Sequence, residues 1–455
     1  MAEPGRRSIP RRLFDLALPV IGINVLNVMS IFVDTLMCSR LPDAEVALAA
    51  LGFSVQVSFL LMTAMMGLTV GTVALVARAH GAGEATRVDH ILAQSTLITL
   101  ALAVGVALVG NLIADPLLRV LGASDAVRPQ ALAYLRPLLT GCVFTYLTLL
   151  YAAVLRGVGN TRLPFLIAIV TNAANITLNY GFILGHWGFP ALGVGGAAWG
   201  TVGSFAVSNA IYLLILTRER GLGVRMSLRP RRPDPRLIRE TFRVGVPAAL
   251  DVVIMNMGFL SVLGMLGRID QVAVGAHGLG LRVQALAFVP GLGVSMACAA
   301  MVGQALGAGR IDEARAVTHA SIRLCVTILV ILGAFFVICA EPIVGLFDAP
   351  PGTRLHELAV EWIRILGVGM PIFGGHIGLA GLFQGAGATR TTLGINLIST
   401  VLFQIPLGLL LAFPLGLGVT GVWASFPTGF ALKLLLEIVA YRRARWARVG
   451  IEIEA

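Results

Sequence analysis

Residues 16–41 read LALPVIGINVLNVMSIFVDTLMCSRL, an apolar stretch that is interrupted by Pro19, two asparagines and Asp34. At a rise of ~1.5 Å per residue, a helix of this length crosses the ~30 Å hydrocarbon core of a membrane. Arginines precede the stretch as they do in a signal peptide, but the apolar run is too long for one. Because a backbone in lipid must satisfy its polar groups within the segment, the stretch is predicted to form most of an uncleaved first membrane span, at residues 13–38.

The composition extends this interpretation to the whole chain. Of its 455 residues, 57% are hydrophobic and only 13% are charged, and the mean hydropathy is +0.88. A soluble fold of this size would have too few polar residues to cover its surface. The composition therefore excludes a disordered chain, a secreted disulfide scaffold and an ordinary soluble enzyme, and it predicts a polytopic membrane protein.

Apolar runs separated by short polar breaks predict twelve membrane-spanning helices. The predicted spans are residues 13–38, 48–77, 90–114, 131–155, 163–185, 191–216, 241–268, 273–305, 318–347, 357–386, 392–414 and 416–441. A membrane β-barrel would instead show alternating segments of about ten residues, and the sequence has none. The predicted fold class is an all-α polytopic membrane protein.

The basic residues are distributed unevenly between the predicted breaks. Of the 34 lysines and arginines, 24 fall in the two termini and in the breaks on one side, and five fall on the other side. Cytoplasmic loops carry such an excess, so both termini are predicted to be cytoplasmic in a cytoplasmic (inner) membrane. The net charge of +11 is thereby explained by topology and not by a nucleic-acid partner.

The chain also repeats itself. VARAHGAG at 76–83 matches VGQALGAG at 302–309, and LRGVGNTR at 155–162 matches FQGAGATR at 383–390. The near-constant offset predicts two homologous six-helix halves with a central cavity between them. We expect an N-terminal lobe at 1–216, a cytoplasmic Arg/Pro-rich linker at 217–243, a C-terminal lobe at 244–441 and a cytoplasmic tail at 442–455.

A charge within a membrane span is costly, so Asp34 is a candidate functional residue. It lies ~10 Å below the outer membrane surface, and its own span offers no basic partner. A carboxylate removed from water is less stable in its charged form, and this site is therefore expected to exchange a proton. Asn172, Asn175 and Asn179 share one face of the fifth span, and Asn179 lies at the depth of Asp34. Together these four residues are the predicted ion-coupling site, with packing between helices as the alternative.

The second half contains further candidates for the cavity. Asp251 and Arg282 both fall near the midplane, where we expect them to form an ion pair, with coupling or substrate contact as the alternative. Gln56 and Gln284 are additional polar residues that could line the cavity. Lys433 and Glu437, spaced i, i+4, are predicted to lie at the inner membrane interface.

Two prolines occupy equivalent positions in the two halves. Pro19 and Pro247 are 228 residues apart, and a proline within a helix allows it to bend. Both are predicted conformational hinges, with an ordinary structural role as the alternative.

The sequence lacks the motifs of enzymes and of ATP-driven pumps. There is no Walker A loop, no G-x-S-x-G and no H-E-x-x-H, and the histidines show no metal-ligand spacing. We therefore expect no catalytic residue, no metal site and no cofactor.

Six motifs along the chain resemble the multidrug and toxic compound extrusion (MATE) family. They are the stretch at 16–41, LRGVGNTRLPF, NITLNYGFILGHWGFPALGVGGAAWGT, VGVPAALD, MVGQALGAGR and FQGAGATRTTL. The resemblance implies two six-helix lobes and export of cationic or amphipathic small molecules in exchange for H⁺ or Na⁺. It implies a coupling acid at Asp34 with polar partners at Asn175 and Asn179. Near the further acids of the sodium-coupled branch this chain has Met255 and Phe373–Gly374, so it is closer to the DNA-damage-inducible F-like branch.

The sequence thus predicts a monomeric secondary active drug antiporter that uses H⁺ in preference to Na⁺. One alternative is a lipid-linked oligosaccharide flippase of the same superfamily, which would need a cationic cavity. Another is a membrane scaffold or receptor without transport activity. A major-facilitator transporter is disfavoured because the G-x-x-x-D-R-x-G-R loop is absent.

Overall fold

The regular structure is helical, and the computed structural model describes residues 8–219, 221–227, 232–347 and 349–447. No β-strand occurs in these residues. In the first part of the chain, α1 to α7 are Ile9–Cys38, Ala44–Gly81, Ala85–Val120, Val127–Thr140, Cys142–Gly157, Arg162–Leu184 and Val194–Arg218. In the second part, α8 to α13 are Pro235–Ile269, Gln271–Gly307, Ile311–Ile338, Ala340–Gly345, Arg354–Gly385 and Thr389–Asn396. A π-helix, Leu397–Gln404, continues α13, and α14 (Ile405–Ala412) and α15 (Gly418–Arg442) follow.

The predicted number of spans agrees with these helices. Eleven helical segments of the described chain are long and apolar enough to cross a membrane, with Thr389–Ala412 counted as one. The helices α4 and α5 meet at an angle of 52°, and this bent pair, counted as one span, brings the number to twelve. The fold class, an all-α polytopic membrane protein, is confirmed.

The fourth span is bent at Gly141, where the prediction had one continuous helix. Gly141 separates α4 from α5, and a Cβ atom there would lie 2.5 Å from a methyl group of Val202. Glycine therefore lets α7 approach the bend closely.

Contacts divide the chain into two compact units, which we name the first unit (22–246) and the second unit (1–21 with 247–455). Their limits fall within α1 and α8, close to Pro19 and Pro247, and not in a loop. The start of α1 packs within the second unit, where Arg12 forms an ion pair with Glu313 at 3.2 Å. The lobes drawn at 1–216 and 244–441 stay a prediction, since the compact units divide α1 and α8 differently.

The repeated motifs form the same turn four times. Each places one glycine in the left-handed region, with φ between 70° and 86°: Gly83, Gly159, Gly309 and Gly387. In every turn the next residue donates its backbone N–H to a carbonyl five residues earlier, at 2.8–2.9 Å. This helix-ending turn needs a residue without a Cβ atom, which is why the glycine recurs in both halves.

Part of the predicted linker at 217–243 is helical, because α8 begins at Pro235. Residues 220 and 228–231 of that linker, and residues 448–455 of the predicted tail, lie outside the described residues. The predicted linker and tail limits are otherwise untested.

The described linker residues are attached to α3. The backbone N–H of Arg225 donates to Asp89 Oδ1 at 2.7 Å, and His90 Nε2 lies 3.1 Å from Asp234 Oδ2. The backbone N–H of Asp234 also donates to Gln94 Oε1 at 3.0 Å. The hydrogen bond from His90 lowers the pKa of Asp234 below its ordinary value of 3.8.

We expect Asp234→Asn to lower the thermal stability of the purified protein slightly, and only when the carboxylate is charged. Because the pKa of Asp234 is depressed in the folded state, its contribution is complete above the ordinary pKa and is lost as pH falls through the folded value. The effect is small because both side chains are 36% exposed. Unfolding temperatures from about pH 6 to pH 3 check this, with Asp125→Asn as an exposed control. A difference between Asp234→Asn and the parent that grows on acidification would contradict it.

Candidate functional site

Asp34 lies inside the first unit, one helical turn before α1 ends at Cys38. Its side chain is buried, with 9% exposure. On α6, Asn179 lies at a similar distance from the last helical residue, Leu184. The two side chains meet, because Asn179 Nδ2 donates to Asp34 Oδ1 at 2.6 Å.

The hydrogen bond between them continues into a chain of polar groups. Asn179 Nδ2 also lies 3.2 Å from Asn175 Oδ1, which accepts a second hydrogen bond from Ser30 Oγ at 2.9 Å. Asn175 Nδ2 in turn donates to Thr201 Oγ1 at 3.2 Å. We name these five residues, Ser30, Asp34, Asn175, Asn179 and Thr201, the Asp34 site.

Asn172 is the member of the predicted set that the structure does not bring to Asp34. Its Nδ2 donates to the backbone carbonyl of Ala168 at 2.8 Å, one turn earlier on α6. Asn172 lies two turns, ~10 Å, from Asn179 along the helix. Asn172 therefore bonds its own helix in this structure, and its part in the ion-coupling site stays a prediction.

Gly200 on α7 is a site residue that the sequence analysis did not identify. A Cβ atom at this position would lie 1.8 Å from Asn179 Oδ1 and 3.0 Å from the backbone nitrogen of Asn179. At Gly196, one turn earlier, a Cβ would lie 2.3 Å from the carbonyl oxygen of Phe182. The Gly-x-x-x-Gly spacing in GVGGAAWGT was the available signal, since small residues four apart let helices pack closely.

The buried oxygen of Asn179 has no hydrogen-bond partner within the described residues. The amide instead presents its nitrogen to Asp34, the orientation that suits a charged carboxylate acceptor. If Asp34 were protonated, its hydroxyl could donate to Asn179 Oδ1 after the amide rotated. The Asp34 site can thus accommodate both protonation states of one carboxyl group.

In the second unit, Asp251 does not form the predicted ion pair with Arg282. Asn396 Nδ2 donates to Asp251 Oδ1, and the Arg282 side chain is exposed. The pair was inferred from equal depth, but depth leaves the direction of each side chain around its helix undetermined. Asp251 turns toward the carboxamide of Asn396 on α13, so the prediction of an Asp251–Arg282 ion pair was wrong.

Lys433 and Glu437 are also not where the sequence analysis placed them. They are 5% and 1% exposed, so both side chains are buried in the second unit and do not extend outward as interface side chains would. His376 Nδ1 on α12 lies 2.9 Å from Glu437 Oε1. The Lys433 ammonium lies 5.3 Å from the ring centre of Phe430.

The remaining candidates show no shared site. Gln56 in the first unit is exposed, whereas Gln284 in the second unit is 2% exposed with both amide atoms unpartnered among described residues. Gln284 therefore does not line an open cavity in this structure. The helices α1 and α8 continue through Pro19 and Pro247, and the hinge role of these prolines stays a prediction.

A metal centre is not supported in the described part of the chain. No group of three or more His, Cys, Asp or Glu side chains there is placed to hold a metal ion. The arrangement around Asp34 can instead exchange one proton, or accept a small cation through oxygen atoms of the carboxylate and carboxamides.

Comparison with known proteins gives a consistent match over both parts of the chain. The model of the MatE family matches residues 19–181 and 247–410. The probable multidrug resistance protein NorM of Thermotoga maritima is 26% identical over 446 residues, 98% of this chain and 94% of that protein. The FAD transporter of Shewanella oneidensis is 27% identical over 450 residues, covering 96% and 94%.

The fold matches a solved structure over nearly its whole length. The crystal structure of MATE in the bent conformation has a TM-score of 0.89 with 23% sequence identity, and the match covers 98% of each chain. At this identity the similarity establishes the two-lobed twelve-helix fold.

Proposed function

The chain belongs to the MatE family, and on that premise we propose that it is a proton-coupled antiporter that exports cationic and amphipathic drugs. Members of this family are transporters and not enzymes. The finer assignment to the DNA-damage-inducible F-like branch is part of the proposal, as are the monomeric state and the absence of a nucleic-acid partner. The proposal also includes a location in the cytoplasmic membrane with both termini inside the cell, which the distribution of arginines supports.

The observation that carries the proposal is the hydrogen bond from Asn179 to Asp34. The amide presents an N–H donor to the carboxylate at 2.6 Å. A sodium ion needs several oxygen ligands, so it would require the Asn179 amide to rotate and present its oxygen in place of the N–H donor. A proton needs one carboxyl group, and the single acid of the Asp34 site supplies it.

Exchange follows from competition between two states of this carboxyl group. A cationic drug is held more strongly by a protein whose Asp34 is charged, and protonation from outside removes that attraction. The substrate can shift the conformational equilibrium only through a difference in affinity between the two states. We further propose that α1 bends at Pro19 and α8 at Pro247, because the compact units change close to both prolines.

We expect a pH gradient that is acid inside the proteoliposomes to drive ethidium uptake, because H⁺ leaving the lumen is exchanged for external ethidium. An Na⁺ gradient alone should drive no uptake. Each gradient is imposed separately, with ethidium accumulation measured by fluorescence and protein-free liposomes as the control. FAD is tested as a second substrate because one relative is named an FAD transporter. Accumulation driven by Na⁺ at constant pH would overturn the proton assignment, and movement of FAD without ethidium would overturn the drug assignment.

A further inference from the structure

The second unit contains a carboxylate–carboxamide pair of the same kind as the Asp34 site. Asn396 on α13 donates to Asp251 on α8. The motif FQGAGATR leads into α13 as LRGVGNTR leads into α6, and α8 carries Pro247 at the repeat position that Pro19 has in α1. The two residues are 145 positions apart in the chain, as are Asp34 and Asn179. Both units therefore join their first helix to their fifth span by an acid and an asparagine.

The Asp251–Asn396 pair does not occupy the repeat positions that correspond to Asp34 and Asn179, but lies earlier along both helices. With the repeat offset of 228 residues, Asp34 corresponds to Val262 and Asn179 to Leu407. The acid and the asparagine of the second unit each lie 11 residues before these positions. On α8, which is α-helical throughout, eleven residues make about three turns, or roughly 16 Å, and return to the same face of the helix.

Three further titratable groups surround this second pair. Helix α13, which carries Asn396, packs against α12 and α15. Asp251 interacts electrostatically with Lys433 and Glu437 on α15 and with His376 on α12. His376 Nδ1 lies 2.9 and 3.0 Å from the two carboxylate oxygens of Glu437. We name Asp251, His376, Asn396, Lys433 and Glu437 the Lys433 cluster.

The fifth span of the second unit changes its winding at this cluster. The π-helix Leu397–Gln404 begins directly after Asn396, whereas α6 is α-helical throughout. On the facing helix, a Cβ atom at Gly429 would lie 2.8 Å from the side chain of Gln404. Wide turns of this kind are rare and occur often at functional sites. The local winding therefore marks the segment that carries Asn396.

The charges of the Lys433 cluster do not cancel without one additional proton. Two carboxylates and one ammonium leave one negative charge, since Asn396 is neutral and His376 is uncharged unless protonated. An uncompensated charge in a buried site is costly, so the neutral state with one extra proton is favoured. His376 or either carboxylate can hold that proton.

We propose that the Lys433 cluster is a second proton-binding site, which carries one exchangeable proton and in which Lys433 supplies the balancing positive charge. Lys433 and Glu437 are fully enclosed, whereas Asp251 and His376 are partly exposed and give the proton a path in and out. As an extension of the proposed function, each transport cycle then moves two protons, one for each unit.

Proton binding is counted without any drug, by titrating purified protein in weak buffer between about pH 8 and pH 6, above the range of exposed carboxylates. We expect Asp251→Asn to bind one proton fewer per molecule than the parent protein. Asp312→Asn is the matched control, because its side chain is 97% exposed, and it should titrate like the parent. Equal proton counts for Asp251→Asn and the parent overturn the second site, whatever the transport assay shows.

The balancing role of Lys433 is tested in the same titration. Lys433→Met leaves two carboxylates without the ammonium and should bind one proton more than the parent. The double variant Lys433→Met with Glu437→Gln removes one charge of each sign and should return to the parental count. Size-exclusion chromatography checks that each variant is folded, and a double variant that keeps the extra proton contradicts the charge balance. If Lys433→Met does not fold, failure of the double variant to restore folding contradicts it as well.

The proton-to-drug ratio then separates this inference from the proposed function. In proteoliposomes we expect the ratio to fall from two to one for Asp251→Asn. A parent protein that moves no ethidium would end the proposed function and leave the drug-free proton count standing. A ratio that is the same in Asp251→Asn and in the parent would remove this cluster from the transport cycle.

Discussion

Asp34→Asn should reduce H⁺-driven ethidium transport to the level of protein-free liposomes while the protein remains folded. Asparagine keeps the size of the side chain and can still accept the hydrogen bond from Asn179, but it cannot bind or release a proton. The measurement is ethidium accumulation under an imposed pH gradient, with unfolding temperature recorded in parallel.

Asp125→Asn is the matched control for Asp34, since it makes the same chemical change at a side chain that is 91% exposed. We expect its transport to equal that of the parent. Full pH-driven transport by Asp34→Asn would show that the proton is carried elsewhere and would end the proposed mechanism.

The second large effect is expected from Gly200→Ala, a change of one methyl group on α7. The new Cβ would lie 1.8 Å from Asn179 Oδ1, so the amide must leave its position beside Asp34. Overpacking of this kind costs about 1–3 kcal/mol of folding free energy. The hydrogen bond from Asn179 to the charged Asp34 contributes ~1.5–3 kcal/mol. Because the variant loses this bond at the proposed coupling residue, transport should fall by about tenfold or more.

Gly203→Ala provides the control on the same helix. There the added Cβ would meet only the end of the Leu178 side chain, at 3.0 Å, and that methyl group can move aside. We expect a lower unfolding temperature and slow transport for Gly200→Ala, and near-parental values for Gly203→Ala. Similar behaviour of the two variants would show that contact with Asn179 is not what makes Gly200 necessary.

The sequence by itself determined the features that depend on local properties. Hydropathy and span length predicted the all-helical fold and its twelve spans, because a backbone in lipid must form its hydrogen bonds within the segment. The cost of a charge in lipid singled out Asp34, and helical spacing placed Asn175 and Asn179 on one face.

Only the tertiary structure decided which side chains meet. It joined Asp251 to Asn396 and left Arg282 exposed, turned Asn172 to its own backbone, and buried Lys433. A soluble helix shows its buried face as an apolar stripe, but a helix in lipid is apolar on all sides. The rotation of such a helix about its axis is therefore absent from the hydropathy pattern and is set by close packing, as at Gly200 against Asn179.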